Sequence, residues 1–123
     1  MKIVIVDTNF IFSCLRQKID FSNDLTLEGF TILIPTQVLM EIKKISRSKK
    51  IIDSDFAKLA LKLIKEDKLS VKDIGTGYAD HAIISYAKKN PLVFLATLDK
   101  EISRSVRNAK IIIRNKKRLE VLY

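Results

Sequence analysis

The 123-residue sequence holds a single cysteine, a single histidine, no tryptophan, two prolines and three glycines. Cys14 alone can form neither an internal disulfide nor a thiolate metal cage. Its neighbours Phe10, Ile11 and Leu15 mark it as a small buried hydrophobe. His81 alone cannot build a zinc cage, and a Ser-His-Asp site would consume it entirely. With so little glycine and proline, and no repeat or low-complexity stretch, no linker divides the chain; residues 1–123 read as one domain. No apolar run approaches the roughly 20 residues of a membrane helix. The short Ile-Val-Ile-Val run after Lys2 falls short of the about 7–15 apolar residues of a secretory signal. The expectation is a cytoplasmic protein without a membrane partner.

What is abundant is positive charge. Lys and Arg number 23 against 14 Asp and Glu, a net charge of +9, in a chain that is 47% hydrophobic and therefore folded. Such a bias points to a polyanionic partner, most often nucleic acid. The candidate phosphate contacts are Lys43-Lys44, Lys49-Lys50, Lys88-Lys89 and Lys116-Lys117-Arg118.

Four apolar runs, Ile3–Val6, Thr31–Ile34, Leu92–Ala96 and Ile111–Ile113, do not alternate with polar residues. Continuous β-branched runs of this length are strands covered on both faces, hence a parallel sheet. A weaker fifth strand is expected at Leu69–Lys72. Helices are expected over Thr8–Gln17, Thr36–Arg47, Ser54–Glu66, Tyr78–Lys89 and Asp99–Arg107. This alternation predicts a three-layer α/β/α sandwich around a parallel sheet of about five strands, with right-handed crossovers. A ligand site in such a sheet lies beyond the carboxyl ends of the strands.

Acidic residues fall where that rule looks for them. Asp7 directly follows the first run and Asp99 comes three residues after the fourth-run end. Helix N-termini also favour acids, so either alone has a plain structural explanation. Glu41 flanks the buried stripe of Val38, Ile42 and Ile45, with Lys44 as its nearest candidate ion-pair partner. Asp80 falls in the apolar arc of its helix, with isoleucines at i+3 and i+4. The expectation is an inward acid that needs a cation, a distant base or the helix N-terminus. His81 points about 100° away and reads as a surface residue. Four converging acids repel unless cations lie between them, and carboxylate oxygens suit Mg²⁺ or Mn²⁺. With a basic surround, the matching chemistry is metal-assisted phosphodiester hydrolysis, which requires no side-chain nucleophile.

The segments Val6-Asp7-Thr8-Asn9, Val38-Leu39-Met40-Glu41-Ile42, Ala79-Asp80-His81-Ala82-Ile83-Ile84 and Ala96-Thr97-Leu98-Asp99-Lys100-Glu101, in this order, resemble the four acidic motifs of PIN domains. The resemblance spans the chain from end to end. It implies a five-stranded parallel sheet and an endoribonuclease using one or two Mg²⁺ or Mn²⁺ ions. It also implies that Asp7, Asp80 and Asp99 hold the ions, with Glu41 as a further ligand or a water-orienting group. Thr8, Asn9 and Thr97 would support and orient these acids. Homodimers and products bearing a 5′-phosphate are further implications. His81 stands where many relatives carry a second acid, and Leu98 where a polar residue is frequent. The Thr97–Ile102 segment, followed by an Ile-rich strand and a short basic tail, looks most like archaeal PIN proteins similar to the ribosomal-RNA processing nucleases of the small subunit. RNA and ribosome-maturation factors are then the expected partners.

Three rival readings share parts of this pattern. A VapC-type toxin carries the same acids and pairs with an antitoxin. A catalytically silent RNA-binding assembly module would not need all four acids. A phosphatase or phospho-receiver on a similar sheet requires a second acid near the first, where this chain has Asn9.

Overall fold

The computed structural model describes residues 2–115 and 118–123. Strand β1 (Lys2–Val6) leads through helices α1 (Thr8–Arg16) and α2 (Phe21–Leu27) to β2 (Phe30–Pro35). Helices α3 (Thr36–Ser46) and α4 (Ile51–Glu66) precede β3 (Ser70–Lys72), and α5 (Ala79–Lys89) precedes β4 (Phe94–Ala96). Helix α6 (Lys100–Ser105) then feeds a hairpin of β5 (Lys110–Arg114) and β6 (Arg118–Leu122). The sheet runs in the order β3-β2-β1-β4-β5-β6, parallel up to β5 and antiparallel at β6.

The expected α/β sandwich with a largely parallel sheet is what the chain forms. Central β1 is buried on both faces at Val4, Ile5 and Val6, which is why its sequence does not alternate. Helices α1, α3 and α4 pack on one another, as do α5 and α6. Phe10, Ile11, Phe21, Leu25, Ile42 and Ile83 close the core from the helical layers. Each such side chain contributes about 1.5–3 kcal/mol by leaving water.

Two elements depart from the sequence expectation. Helix α2 has no sequence counterpart because only Phe21, Ser22 and Leu25 of its seven residues are buried and only two of these are apolar, too few for a helical period to stand out. Its signals are local: the Asp20 side chain accepts from Asn23 N at 3.1 Å, and Gly29, at φ 89°, ends the turn. The anticipated basic tail is instead strand β6. Its register pairs Lys110 with Leu122 and Arg114 with Arg118, and it covers the edge of β5 that a five-stranded sheet would leave open. Helix α4 also starts at Ile51 rather than Ser54; the Ser54 hydroxyl donates to Ser46 O at 2.7 Å, tying α4 to the end of α3.

Buried Asn108, just before β5, fastens the far end of α5. Its Nδ2 lies 3.1, 3.0 and 2.9 Å from the carbonyls of Ala87, Asn90 and Val93. As expected, Cys14 is fully buried, and burial pushes its thiol up to about 12, so it is inert near neutrality. No helix among the described residues is long and apolar enough to cross a membrane.

Candidate active site

From β1 the chain steps to β2 and β3 on one side, then returns to place β4 and β5 on the other. The carboxyl ends of β1 and β4 therefore flank the point where the strand order reverses, the usual position of a binding crevice. Asp7 ends β1 there. Its backbone N–H donates to Ala96 O of β4 at 3.0 Å, which locks the two strand ends together. The Asp7 side chain serves as N-cap of α1: Oδ1 accepts from Thr8 N at 2.8 Å. Its Oδ2 accepts from the Thr97 hydroxyl at 3.1 Å. Thr97 Oγ1 in turn accepts from Asp99 N at 3.1 Å, so one hydroxyl joins the Asp7 carboxyl to the backbone of the second acid. Asp99 caps α6, accepting at Oδ1 from Glu101 N at 2.8 Å and Ile102 N at 3.3 Å.

The other two acids come from helices whose first turns start at the same sheet edge. Glu41 lies in the second turn of α3 and is exposed. The Lys44 partner expected for it is not engaged: the ion pairs among the described residues are Lys62–Glu66 and Arg114–Glu120. Asp80, in the first turn of α5, is also exposed, and its Oδ1 accepts from His81 N at 2.9 Å. The expectation of an inward Asp80 is corrected here. Its helical arc is apolar, since Ala82 and Ile83 are buried and Ala79 packs against the core, but Asp80 lies at the exposed margin of that arc. His81 is exposed, as expected.

A residue that the sequence pattern did not single out joins these two helices. Gln37 of α3 donates from Nε2 to Gly75 O at 2.6 Å and Gly77 O at 3.4 Å. It pins the turn that launches α5, and Gly75 and Gly77, at φ 132° and 94°, supply the left-handed backbone this turn requires. The Gly-Thr-Gly sequence announced a turn; its distant partner had no local signal.

Electrostatics show the acids acting on one another. Burial, foremost, raises the Asp7 carboxyl above its ordinary value; Asp99 and Asp80 add to the rise, while hydrogen bonds from Thr8 and Thr97 oppose it. Glu41 is raised by partial desolvation and by the charges of Asp7 and Asp80, with Thr8 opposing. The Thr8 hydroxyl is buried and has no partner of full hydrogen-bond geometry among the described residues, although it lies near enough to Glu41 to favour its charged form. Asn9, expected to orient an acid, makes no such bond; it is exposed and shares a depression of about 370 Å³ with Arg16 and Lys50. Among the described residues no three acids stand close enough to form a ready-made metal cage.

The donor set nevertheless suits a hard divalent cation. All four groups are carboxylates, two of them are held above their ordinary pKa partly by their neighbours' charge, and none has a cationic partner among the described residues. Mg²⁺ in particular keeps several waters and takes only one or two protein carboxylates, which asks for no closed cage.

Comparison with known proteins places this arrangement. A family profile described as "PIN like domain" matches residues 4–118. Ribonuclease VapC4 of Methanocaldococcus jannaschii is 29% identical over 124 aligned residues, covering 96% of this chain and 95% of that protein. The rRNA-processing protein fcf1 of Schizosaccharomyces pombe is 32% identical over 110 residues, covering 85% of this chain but 53% of its own length. The solved PIN domain endonuclease Utp24 superposes with a TM-score of 0.79 at 25% identity, over 97% of this chain and 90% of that one. An acid-lined switch point on a largely parallel sheet, matched over nearly its whole length, thus assigns the chain to the PIN-like domain family of nucleases.

Proposed function

We propose that this protein is a divalent-cation-dependent endoribonuclease that hydrolyses RNA phosphodiester bonds with water as the nucleophile, in ribosomal-RNA processing. The observation that carries the reading is the meeting of Asp7, Glu41, Asp80 and Asp99, from four elements, at one sheet edge, each of Asp7 and Glu41 feeling its neighbours' charge. In this reading Asp7 and Asp99, joined through Thr97, would hold the cation, with Asp80 as a further ligand. A bound Mg²⁺ or Mn²⁺ supplies an acidified water and neutralises charge that develops on the phosphate and the leaving oxygen. Glu41, on the exposed surface of α3 yet raised by partial desolvation and then by Asp7, is suited to orient the attacking water and accept its proton. Thr97 fixes the Asp7 carboxyl so that no reorganisation is needed during attack.

The basic clusters differ in their suitability as phosphate contacts. Lys50 shares a depression with Asn9, two residues from Asp7, and with Arg16, which the sequence pattern had not singled out. Lys88-Lys89 occupy the last turn of α5, and Lys88 is eight residues, about 12 Å of helix, beyond Asp80, whereas Lys43-Lys44, in the last turn of α3, follow Glu41 by only two and three residues. Strand β5 runs parallel to β4, so the Arg114–Arg118 pair lies at the carboxyl side of the sheet. Lys116 and Lys117 lie outside the described residues. Lys44, Lys50, Arg16 and Arg118 are therefore the favoured contacts.

The ribosomal-RNA role draws on the Utp24 and fcf1 likenesses. A second reading, a toxin ribonuclease neutralised by an antitoxin, draws on the end-to-end match with VapC4. A silent assembly module has no use for the retained acids. Cleavage of labelled structured RNA with Mg²⁺ or Mn²⁺, beside EDTA and the Asp7→Asn variant, tests the reading. Cleavage with the metal, lost in EDTA and in the variant, is expected; equal cleavage in all conditions overturns it. A strong preference for ribosomal-RNA precursor over other structured RNAs supports the first role, and growth arrest on expression supports the second.

A further inference from the structure

Beside Glu41, on the side away from α1, lies a shallow depression of about 290 Å³ lined by Gln37, Met40, Glu41, Gly77, Tyr78 and Ala79. Two large apolar side chains open into solvent at its rim. Tyr78 is 83% exposed and Met40 is 61% exposed. Scattered exposed hydrophobes need no explanation singly, but these two lie together against an acid of the site. Neither face of the Tyr78 ring meets an aromatic or cationic partner among the described residues, and its hydroxyl makes no hydrogen bond there.

The backbone that carries the ring is held in place. Tyr78 is the N-cap residue of α5 and contributes its carbonyl to the helix through Ala82 N at 3.0 Å. The turn just before it is pinned by Gln37 through the Gly75 and Gly77 carbonyls. An aromatic on a mobile loop would lose backbone as well as side-chain entropy on binding; here the backbone is anchored beforehand and only the side-chain rotamer remains to be fixed, which lowers the cost of stacking. Met40 offers a soft, adaptable surface on the opposite wall.

We propose that this depression is a nucleobase subsite, in which one unpaired base of the RNA stacks on Tyr78 and is flanked by Met40. The proposal rests on the nuclease reading for its substrate class. The occupant is a single-stranded base because a flat ring matches an exposed aromatic face, and because the pocket shares Glu41 with the acid site. A strand whose phosphate lies at the acids would present an adjoining base here. Stacking takes any base, so the subsite selects for an unpaired nucleotide next to the cut rather than for a base sequence. Duplex RNA, whose bases are buried in the stack, cannot fill it.

The test is equilibrium binding of a labelled single-stranded RNA decamer in EDTA, where no cleavage intervenes, to the parent protein, Tyr78→Ala and Tyr78→Phe. Tyr78→Ala should weaken binding about fivefold or more, and Tyr78→Phe should stay within about twofold, because the ring and not the hydroxyl does the stacking. With the cleavage site mapped, abasic RNAs scanned across it should reveal one position whose loss matches that of Tyr78→Ala and does not add to it. Unchanged melting of Tyr78→Ala, expected for so exposed a side chain, shows that the variant folds. Parent-like binding by Tyr78→Ala, an equal loss in Tyr78→Phe, or full additivity with every abasic RNA overturns the subsite, as does an absence of RNA binding by the parent. The two readings fail separately. Intact metal-dependent cleavage with a silent Tyr78→Ala sinks only the subsite, whereas a Tyr78 effect on binding without any cleavage leaves the subsite standing and sinks hydrolysis.

Discussion

The four acids fall into two unlike pairs. Asp7 directly follows β1 and Asp99 lies three residues past the adjacent parallel β4; both bond Thr97 and both accept from backbone N–H groups of α1 and α6, which leaves acceptor sites open for a cation. Glu41 and Asp80 stand on exposed helix surfaces; among the described residues, Glu41 has only the Thr8 hydroxyl near it as a donor and Asp80 accepts only from the N–H of the next residue. A strand end fixed by ladder bonds on both sides is a rigid mount, and a carboxylate on it is oriented before any ligand arrives. A carboxylate on an exposed helical face keeps its rotamer freedom and its solvent. The first pair is built to hold, the second to adjust, and the reaction proposed above requires both.

Activity should divide along this line. Asp7→Asn and Asp99→Asn each remove a mounted charge and are expected to lower kcat by at least about a hundredfold. Glu41→Gln and Asp80→Asn, on the adjustable side, should cost less, by about one order of magnitude. Single-turnover cleavage of one RNA by all four variants measures this. Equal losses across the set would erase the distinction between the pairs.

The mount itself can be loosened without touching a charge. Thr97→Val removes the hydroxyl that joins Asp7 to the backbone of Asp99. Removing a group that orients a metal ligand typically costs about 10- to 100-fold in metal affinity or activity. The loss should appear in the Mn²⁺ concentration needed for half-maximal rate, with KM for RNA little changed, and Thr97→Ser should restore it. A change confined to RNA affinity would assign Thr97 to substrate binding instead.

Stability should show a smaller contrast. Unfolded, Asp7 titrates near 3.8; folded, it titrates higher, chiefly through burial. Between those values the folded protein holds a proton that the unfolded chain has released, so this group's contribution to stability falls as pH rises through the window. At neutral pH without divalent ions the penalty is fully present. Asp7→Asn should then melt higher than the parent by roughly a few degrees, and the gap should close as pH falls below about 3.8. Exposed Asp80→Asn should shift stability by no more than about 0.5 kcal/mol. Thermal melts in EDTA across pH check both, and a parent that melts above Asp7→Asn at neutral pH would contradict the account.

The sequence revealed the strand-end pair better than the helix pair, for a physical reason. A buried parallel strand is an unbroken β-branched run, so the residue after it must lie at the carboxyl edge; Asp7 after Ile3–Val6 and Asp99 after Phe94–Ala96 follow from that alone. For a helix, periodicity gives a direction about the axis but not whether anything covers that turn. Asp80 lies in the apolar arc of α5 yet at its exposed margin, while Ala82 and Ile83 are buried. Glu41 was legible as a flank residue; the absence of a lysine partner required coordinates. Gln37, 38 residues from the Gly75 carbonyl it holds, and Tyr78, ordinary in a turn, gain meaning only from what lies beside them. Strand β6 does carry a signal, since charged Arg118 and Glu120 alternate with apolar Leu119 and Val121 as on a half-exposed strand, but the adjoining Lys116-Lys117 pair gives the segment the look of a basic tail.

The central claim is that carboxylates and a divalent cation deliver water to the phosphate, with no side-chain nucleophile and no histidine in the reaction. The most direct measurement is mass spectrometry of the two RNA ends formed in a single turnover in heavy-oxygen-labelled water. The account predicts a 5′-phosphate carrying one labelled oxygen and a 3′-hydroxyl on the other fragment. An unlabelled 2′,3′-cyclic phosphate with a 5′-hydroxyl would mean that the ribose attacked its own phosphate, and would contradict it.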